Sequence, residues 1–271
     1  MRIHPTAIVE EGACLGEGVS IGPYCRVGSA VSLGAGVELK SHVVIDGRTE
    51  IGARTVIHPF AVLGGPPQHL GFRGEDTRLK VGADCILREH ATLNLGTVAG
   101  RSETVIGDKC FLMTGAHVAH DCIVGSNVIF ANNATLGGHV VVGDHVFLGG
   151  LCAIHQFCRI GSYAFIGGCA AVPTDVIPYA SATGNHAQLS GLNIVGMKRR
   201  GMSRAAIHDL RAAYRMLFSD DASFQERLDA VEIKYAQSDE VMRVVNFIKE
   251  DTRRPLMAPP RKQWPAGENS A

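Results

Sequence analysis

Aliphatic residues recur along this chain at intervals of six. From Ile3 the phase runs through Val9, Leu15, Ile21, Val27, Leu33, Leu39, Ile45, Ile51, Ile57 and Leu63. It resumes at Val81, Leu87 and Leu93, then returns at Ile106 and continues unbroken to Val172. Of these 26 positions, 25 are Ile, Leu or Val and the other is Phe130; glycine follows directly in fourteen. Six residues match neither the 3.6-residue turn of a helix nor the unbroken alternation of a long strand. They match a short strand plus a bend, with the aliphatic side chain inward and glycine easing the turn. Four residues after each aliphatic comes a second, smaller inward position, as at Ala7, Ala13, Val19, Cys25, Cys85, Ala91, Cys110 and Cys122. Large and small inward sites in alternation suit a narrow three-faced prism. Three hexads then make one coil of about 18 residues, and coils stack at the strand spacing of ~4.8 Å. The pattern predicts a mainly β protein, a parallel β-helix of eight or nine coils over residues 1–185.

Two insertions break the period, GGPPQHLGFRGEDTR at 64–78 and NLGTVAGRSET at 94–104. Insertions in a solenoid project as loops and often build its binding face. The polar and basic content of the first, including Gln68, His69, Arg73, Glu75 and Arg78, favours a functional loop. The period ends after Val172. From Ser203, the residues Ile207, Leu210, Tyr214 and Leu217 share one face of a serine-capped helix. Ser223 with Glu226 reads as a capping box for a second helix, and Ser238 as the start of a third through Ile248. A small helical domain is therefore expected over 186–254, followed by a flexible, proline-rich tail over 255–271.

Composition narrows the function classes. Lys+Arg 26 against Asp+Glu 26 excludes the basic excess of a nucleic-acid binder. No basic-then-apolar leader opens the chain, and no apolar run approaches the roughly 18 residues of a membrane span. A soluble, cytoplasmic protein is expected. Six of the eight cysteines (Cys25, Cys85, Cys110, Cys122, Cys152 and Cys158) fall on the small inward position. They read as small hydrophobes, not as disulfide partners or metal ligands.

Twelve histidines are scattered along the chain, and their density peaks in GAHVAHDC (115–122), GGHVVVGDH (137–145) and IHQF (154–157). His120 and His139 are 19 residues apart and His155 lies 16 further on, about one coil each, so neighbouring rungs should carry them near one edge. An imidazole beside a carboxylate, here His120 and Asp121, suits proton transfer near neutrality. Metal binding is the rival reading, but the close pairs lie three apart (His117/His120) and six apart (His139/His145), unlike the five-residue pair of β-helical carbonic anhydrases. At the end of the repeats Lys198, Arg199, Arg200, Arg204, Arg211 and Arg215 face one nearby acid, Asp209, an anion site for phosphate or an acidic protein.

The motifs HPTAIVEEGA, SHVVIDG, HVAHDC, FANNATLGGHV, HQFCRIG, GGCAAV and GNHAQLSGLNIVGMKRRGMSR resemble, in sequence and order, the UDP-N-acetylglucosamine O-acyltransferase family over residues 3–218. The resemblance implies a left-handed β-helix assembled as a homotrimer, with no metal or bound cofactor. It implies transfer of a 3-hydroxyacyl chain from acyl carrier protein to the glucosamine 3-position of UDP-N-acetylglucosamine, the first step of lipid A synthesis. By position, His120 matches the general base, Asp121 its orienting partner and Gly138 the oxyanion N–H donor. His117, His139, His155 and Gln156 match substrate or acyl-chain contacts, and Gln68, Leu70 and Arg73 of the first insertion are further candidate substrate contacts, Arg73 as a substitute for the family's lost charge. Asn193, Arg199 and Arg200 match nucleotide contacts, and Gly168 stands where the family limits acyl length. The chain departs from the family at His69 and Gly71, where many members have an acid and a lysine. It departs again at Asn94, in place of His, and at Val195, in place of Glu. The alternatives are the same transfer to a 3-amino sugar nucleotide, the N-acyltransferase acting later in that pathway, a coenzyme A-dependent β-helical acyltransferase, and a non-catalytic β-helical scaffold.

Overall fold

The computed structural model describes residues 1–250 and 253–260. Through the repeats most strands are two residues long, and the second residue is the aliphatic of the hexad: Arg2–Ile3, Ile8–Val9, Cys14–Leu15, and so on to Ala171–Val172. Each pairs in parallel with the strand three hexads on, as in Ile3↔Ile21, Ile21↔Leu39 and Leu39↔Ile57. Because every third hexad joins the same ladder, the strands sort into three sheets of eleven, nine and eight among the described residues. The result is a left-handed parallel β-helix with a small C-terminal helical part. From the second coil onward the hexad aliphatics are buried, and the column of large and small inward residues forms one continuous core.

The small inward site explains the cysteines. Cys85 donates its thiol to the Gly107 carbonyl at 3.2 Å and Cys122 to the Gly137 carbonyl at 3.1 Å, so each occupies the coil's interior without an orphaned polar atom. Burial pushes the thiols of Cys122, Cys152 and Cys158 up to about 12, which removes the reactive thiolate at neutral pH. Only Cys14 and Cys169 are exposed. A thiol reagent is expected to modify two cysteines per native chain and all eight after denaturation, counted by intact-mass spectrometry. Rapid labelling of Cys85 or Cys122 in the native protein would contradict the buried packing.

Both insertions leave the nine-stranded sheet and return to the eight-stranded one, between Val62–Gly65 and Arg78–Val81 and between Thr92–Asn94 and Glu103–Ile106. Each re-enters in register, with Val81 beside Ile51 and Ile106 beside Val81. The loops are thus added to one edge of the prism without disturbing its ladder.

The sheet continues past the expected boundary at 185: Ala180–Thr183 extends the eleven-stranded sheet and Gln188–Leu192 folds back on it antiparallel. Among the described residues four helices follow: α1 (Ile194–Arg199), α2 (Arg204–Leu217), α3 (Phe224–Lys234) and α4 (Asp239–Lys249). Ser203 caps α2 and Ser223 with Glu226 forms the capping box of α3, whereas Ser238 precedes α4 without a side-chain cap. Six-residue α1 was not expected, being too short to show a helical period. After α4 the chain returns to the prism. The Asp175 amide donates to the Pro255 carbonyl, Met257 N–H to the Asp175 carbonyl and Leu189 N–H to the Ala258 carbonyl, at 2.9, 2.8 and 3.1 Å. Met257 is 3% exposed. This corrects the expected flexible tail for residues 255–258: once Pro173 ends the repeat, the sheet margin offers unpaired backbone groups that this segment pairs. The rest of that expectation, 261–271, lies outside the described residues. None of the described helices is long and apolar enough to cross a membrane.

Candidate active site

The edge between the nine- and eight-stranded sheets carries the turns His120–Asp121, Gly138–His139 and Gln156–Phe157 on successive coils. Asp121, His139 and Phe157 take positive φ (60°, 62° and 68°) at equivalent corners, which stacks their side chains along the edge. His120 Nδ1 lies 2.9 Å from Asp121 Oδ2. Its ring meets His139 edge-on at 5.0 Å and His69 of the first insertion at 5.6 Å, outside the prism's aliphatic interior. His120 is 9% exposed and Asp121 fully buried. Such a carboxylate survives only if its lone pairs are filled. The second insertion fills them: Thr97 donates its hydroxyl at 2.6 Å and its amide at 3.1 Å, and Arg101 donates its amide at 2.7 Å. Burial pulls the Asp121 carboxyl upward, but these bonds and that of His120 outweigh it and hold the group below the ordinary aspartate range. An ionised Asp121 accepts the Nδ1 proton of His120, leaving the Nε2 lone pair free as a base.

Gly138 is fixed by what it faces. A Cβ built there would lie 2.5 Å from Cε1 and 2.7 Å from Nε2 of His120, so only glycine lets the backbone approach the ring. Its N–H has no backbone acceptor among the described residues, which leaves it available to a developing oxyanion. His139 stacks on Phe157 at 4.5 Å, with Nε2 3.8 Å from Asp121 Oδ2. Burial, with the charges of Arg101 and Arg253 acting in the same direction, lowers the His139 pKa and keeps that ring neutral. His117 hydrogen-bonds Thr92 at 2.7 Å on the nine-stranded face, and burial lowers its pKa as well. His120, Asp121 and His139 present ligand atoms within 4.8 Å of one another, a spacing a metal could use. However, the Asp121 oxygens are already taken by donor groups, which suits proton handling better than coordination.

The remaining predicted residues are distributed. His155 and Gln156 are exposed on the same edge, where Arg254 reaches His155 Nδ1 at 2.7 Å and the Gln156 carbonyl at 3.1 Å. In the first insertion Gln68, Leu70 and Arg73 face solvent; Leu70 is 99% exposed, and Arg73 caps the carbonyls of Leu70 and Phe72. Asn94 ties the two insertions together, its Nδ2 donating to the Pro66 carbonyl at 3.2 Å. Gly168 lies on the other edge of the nine-stranded sheet. Asn193, Arg199 and Arg200 gather at the third edge, beyond the eight-stranded sheet. Asn193 caps α1 through Gly196 N–H and donates to the Tyr163 carbonyl, Arg200 donates to His145 Nδ1 at 2.7 Å, and Arg199 is exposed. Val195 beside them is exposed and offers no polar group. The structure adds His69, Thr97, Arg101 and Arg253 to the catalytic edge. His69 stood out in the sequence only as loop polarity, and the other three carried no spacing signal.

A three-faced hexapeptide prism with a histidine–carboxylate dyad on an open edge defines the class: a hexapeptide-repeat acyltransferase. The comparisons specify it. Residues 103–138 match the bacterial transferase hexapeptide family model, and 175–257 match the model described as Udp N-acetylglucosamine O-acyltransferase, Domain 2. An acyl-[acyl-carrier-protein]–UDP-N-acetylglucosamine O-acyltransferase of Caulobacter vibrioides is 58% identical over 207 residues, 76% of this chain and 79% of that one. Its namesake in Rhizobium johnstonii is 50% identical over 262 residues, 97% of this chain and 96% of that one. The crystal structure of UDP-N-acetylglucosamine O-acyltransferase from Moraxella catarrhalis superposes with a TM-score of 0.91 at 38% identity, covering 95% of this chain and 100% of that one. The chain belongs to the UDP-N-acetylglucosamine O-acyltransferase family.

Proposed function

We propose that this enzyme moves a 3-hydroxyacyl chain from the thioester of an acyl carrier protein to the 3-hydroxyl of UDP-N-acetylglucosamine, opening lipid A synthesis in the cytoplasm. The observation that carries this reading is the His120–Asp121 dyad, with the Gly138 backbone laid against the imidazole. His120 Nε2 takes the hydroxyl proton as the sugar oxygen attacks the thioester carbon. The tetrahedral oxyanion receives the Gly138 N–H, a kind of donor worth about 3–4 kcal/mol in other acyl transfers. Collapse breaks the carbon–sulfur bond, and the departing thiolate takes the proton back from His120. An ester and a free carrier thiol result, with no net proton change and no cofactor.

Two features support a homotrimer. The outward residues of the eleven-stranded sheet form an apolar row, Val56, Ile86, Phe111, Ile129, Phe147 and Phe165, that is half-buried or exposed among the described residues. The nucleotide candidates Asn193, Arg199 and Arg200 also sit on a different edge from His120, so a site formed where one protomer's edge meets the next would unite them. The exposed cations Lys198, Arg199, Arg200, Arg204, Arg211 and Arg215 suit an acidic carrier protein.

An acyl chain laid from His120 across the nine-stranded face toward Gly168 crosses Thr135, Ala153 and Ala171, whose small side chains leave a shallow track. A Cβ at Gly168 would meet only the Gly150 carbonyl oxygen, at 3.4 Å, so a larger residue fits there and would block the track. Gly168→Met is expected to shift the preferred chain to shorter lengths by at least two carbons, read from competition among carrier-bound chains; an unchanged profile would place the length limit elsewhere.

The same apparatus would acylate a 3-amino sugar nucleotide, and His69 near His120, where many relatives carry an acid, makes that acceptor worth testing. The deciding experiment is mass spectrometry of the products from mixed acyl carrier proteins with both sugar nucleotides. An ester as main product supports the reading, an amide replaces the acceptor, and absence of either refutes acyl transfer.

A further inference from the structure

Beside His139 the catalytic edge opens into a groove of roughly 370 Å³ lined by Ala99, Gly100, Arg101, His139, Phe157 and Arg253, with Val141 and Arg159 at its floor. Two of its three arginines, Arg101 and Arg253, come from chain segments far apart in sequence. Arg101 is placed by the second insertion: its amide donates to Asp121 Oδ1 at 2.7 Å and its Nη1 to the Asp121 carbonyl at 2.9 Å. Arg253 arrives with the segment that returns from α4, its guanidinium 4.8 Å above the Phe157 ring, which itself stacks on His139. Arg159 also touches the groove but is neutralised by Asp175 and Glu250, each at 2.7 Å. Neither Arg101 nor Arg253 pairs with a carboxylate among the described residues, and both charges act on His139. Asp121, beside Arg101, is buried with its oxygens occupied. Arg101 and Arg253 both line this one groove, and an anion seated in it would gain the attraction of both guanidiniums.

We propose that Arg101 and Arg253 form a phosphate-binding pair at the mouth of this groove. Planar guanidinium forks match a phosphate's oxygens, and Phe157 pre-orients one of them. Resting on the acyl-transfer reading above, two phosphate esters reach this edge: the phosphodiester that joins a carrier protein to its thiol arm, and the diphosphate of the sugar nucleotide. The position beside His139, with His155 and Gln156 on the next rung, leaves either one within the catalytic edge. Within one chain the pair stands at a different edge from Arg199 and Arg200.

The test is calorimetric titration of the full chain with three probes: 4′-phosphopantetheine, pantetheine and UDP-N-acetylglucosamine. Arg253→Gln and the double variant Arg101→Gln/Arg253→Gln are compared with the unaltered chain. If the pair serves the thiol arm, 4′-phosphopantetheine binds about tenfold more tightly than pantetheine, and the double variant erases that advantage. If it serves the nucleotide, the double variant loses about tenfold affinity for UDP-N-acetylglucosamine while the two thiol-arm probes stay equal. A double variant that binds both phosphate probes as the unaltered chain does overturns the proposal. Arg101 also helps to hold the Asp121 turn, so Arg253→Gln alone, which touches no hydrogen bond of the dyad, must show a partial loss of the same sign. Because the readout is binding, a chain that keeps the phosphate preference yet transfers no acyl group would refute the functional reading and leave the pair standing.

Discussion

Replacing His120 with alanine is expected to lower kcat by about 10³-fold, within the 10²–10⁴ range of a lost general base, while leaving nucleotide affinity and assembly unchanged. The expectation follows from where the ring stands. It lies at the prism's edge, beyond the column of inward aliphatics, so its loss removes chemistry and little core. The pH profile supplies a second check. Asp121 is held below the ordinary aspartate value, so it stays ionised and the dyad stays paired to lower pH than an ordinary aspartate would allow. By linkage, a depressed carboxyl contributes stability that is complete above its unfolded value and disappears as pH falls through its folded value. Any pH dependence that belongs to the dyad is therefore expected to vanish in His120→Ala and to persist in Arg253→Gln. Steady-state kinetics across pH 5–9 would settle both points, and near-normal turnover by His120→Ala would remove the proposed base.

Gly138→Ala is the second large effect. It keeps the backbone N–H and adds one methyl group, but that methyl would stand 2.5 Å from His120 Cε1. The imidazole or the turn has to move, and a displacement near 1 Å at a reacting group costs about 10²-fold. A kcat loss of that order with a nearly constant KM for the nucleotide is expected, because Asn193, Arg199 and Arg200 lie on a different edge. Activity within about fivefold of the unaltered enzyme would mean that the ring does not depend on this close approach.

The six-residue phase made the prism legible because it is a packing requirement repeated coil after coil: a large aliphatic at Leu39 or Val142 has one place to go. The same arithmetic put His120 and His139 on adjacent rungs, and they are, with ring centroids 5.0 Å apart. The insertions were legible as interruptions and illegible as structures. Nothing periodic places Thr97 and Arg101 around Asp121, or His69 against His120, since loop conformation depends on tertiary contacts that no spacing records. Asn193 shows a different limit: a residue matched to the nucleotide also caps a helix too short to read. The return of Leu256 and Met257 to the prism escaped notice because two apolar residues among prolines do not form a pattern.

The reactive turns sit in the middle coils of a stack whose rungs touch only their neighbours, whereas the first coil, Arg2–Ile3 to Cys14–Leu15, is open to solvent on its outer end. A terminal rung has one neighbouring interface where an inner rung has two, so it is held less firmly. Heating is therefore expected to loosen the N-terminal rungs before the reactive turns, and loss of ordered β-structure to precede loss of turnover.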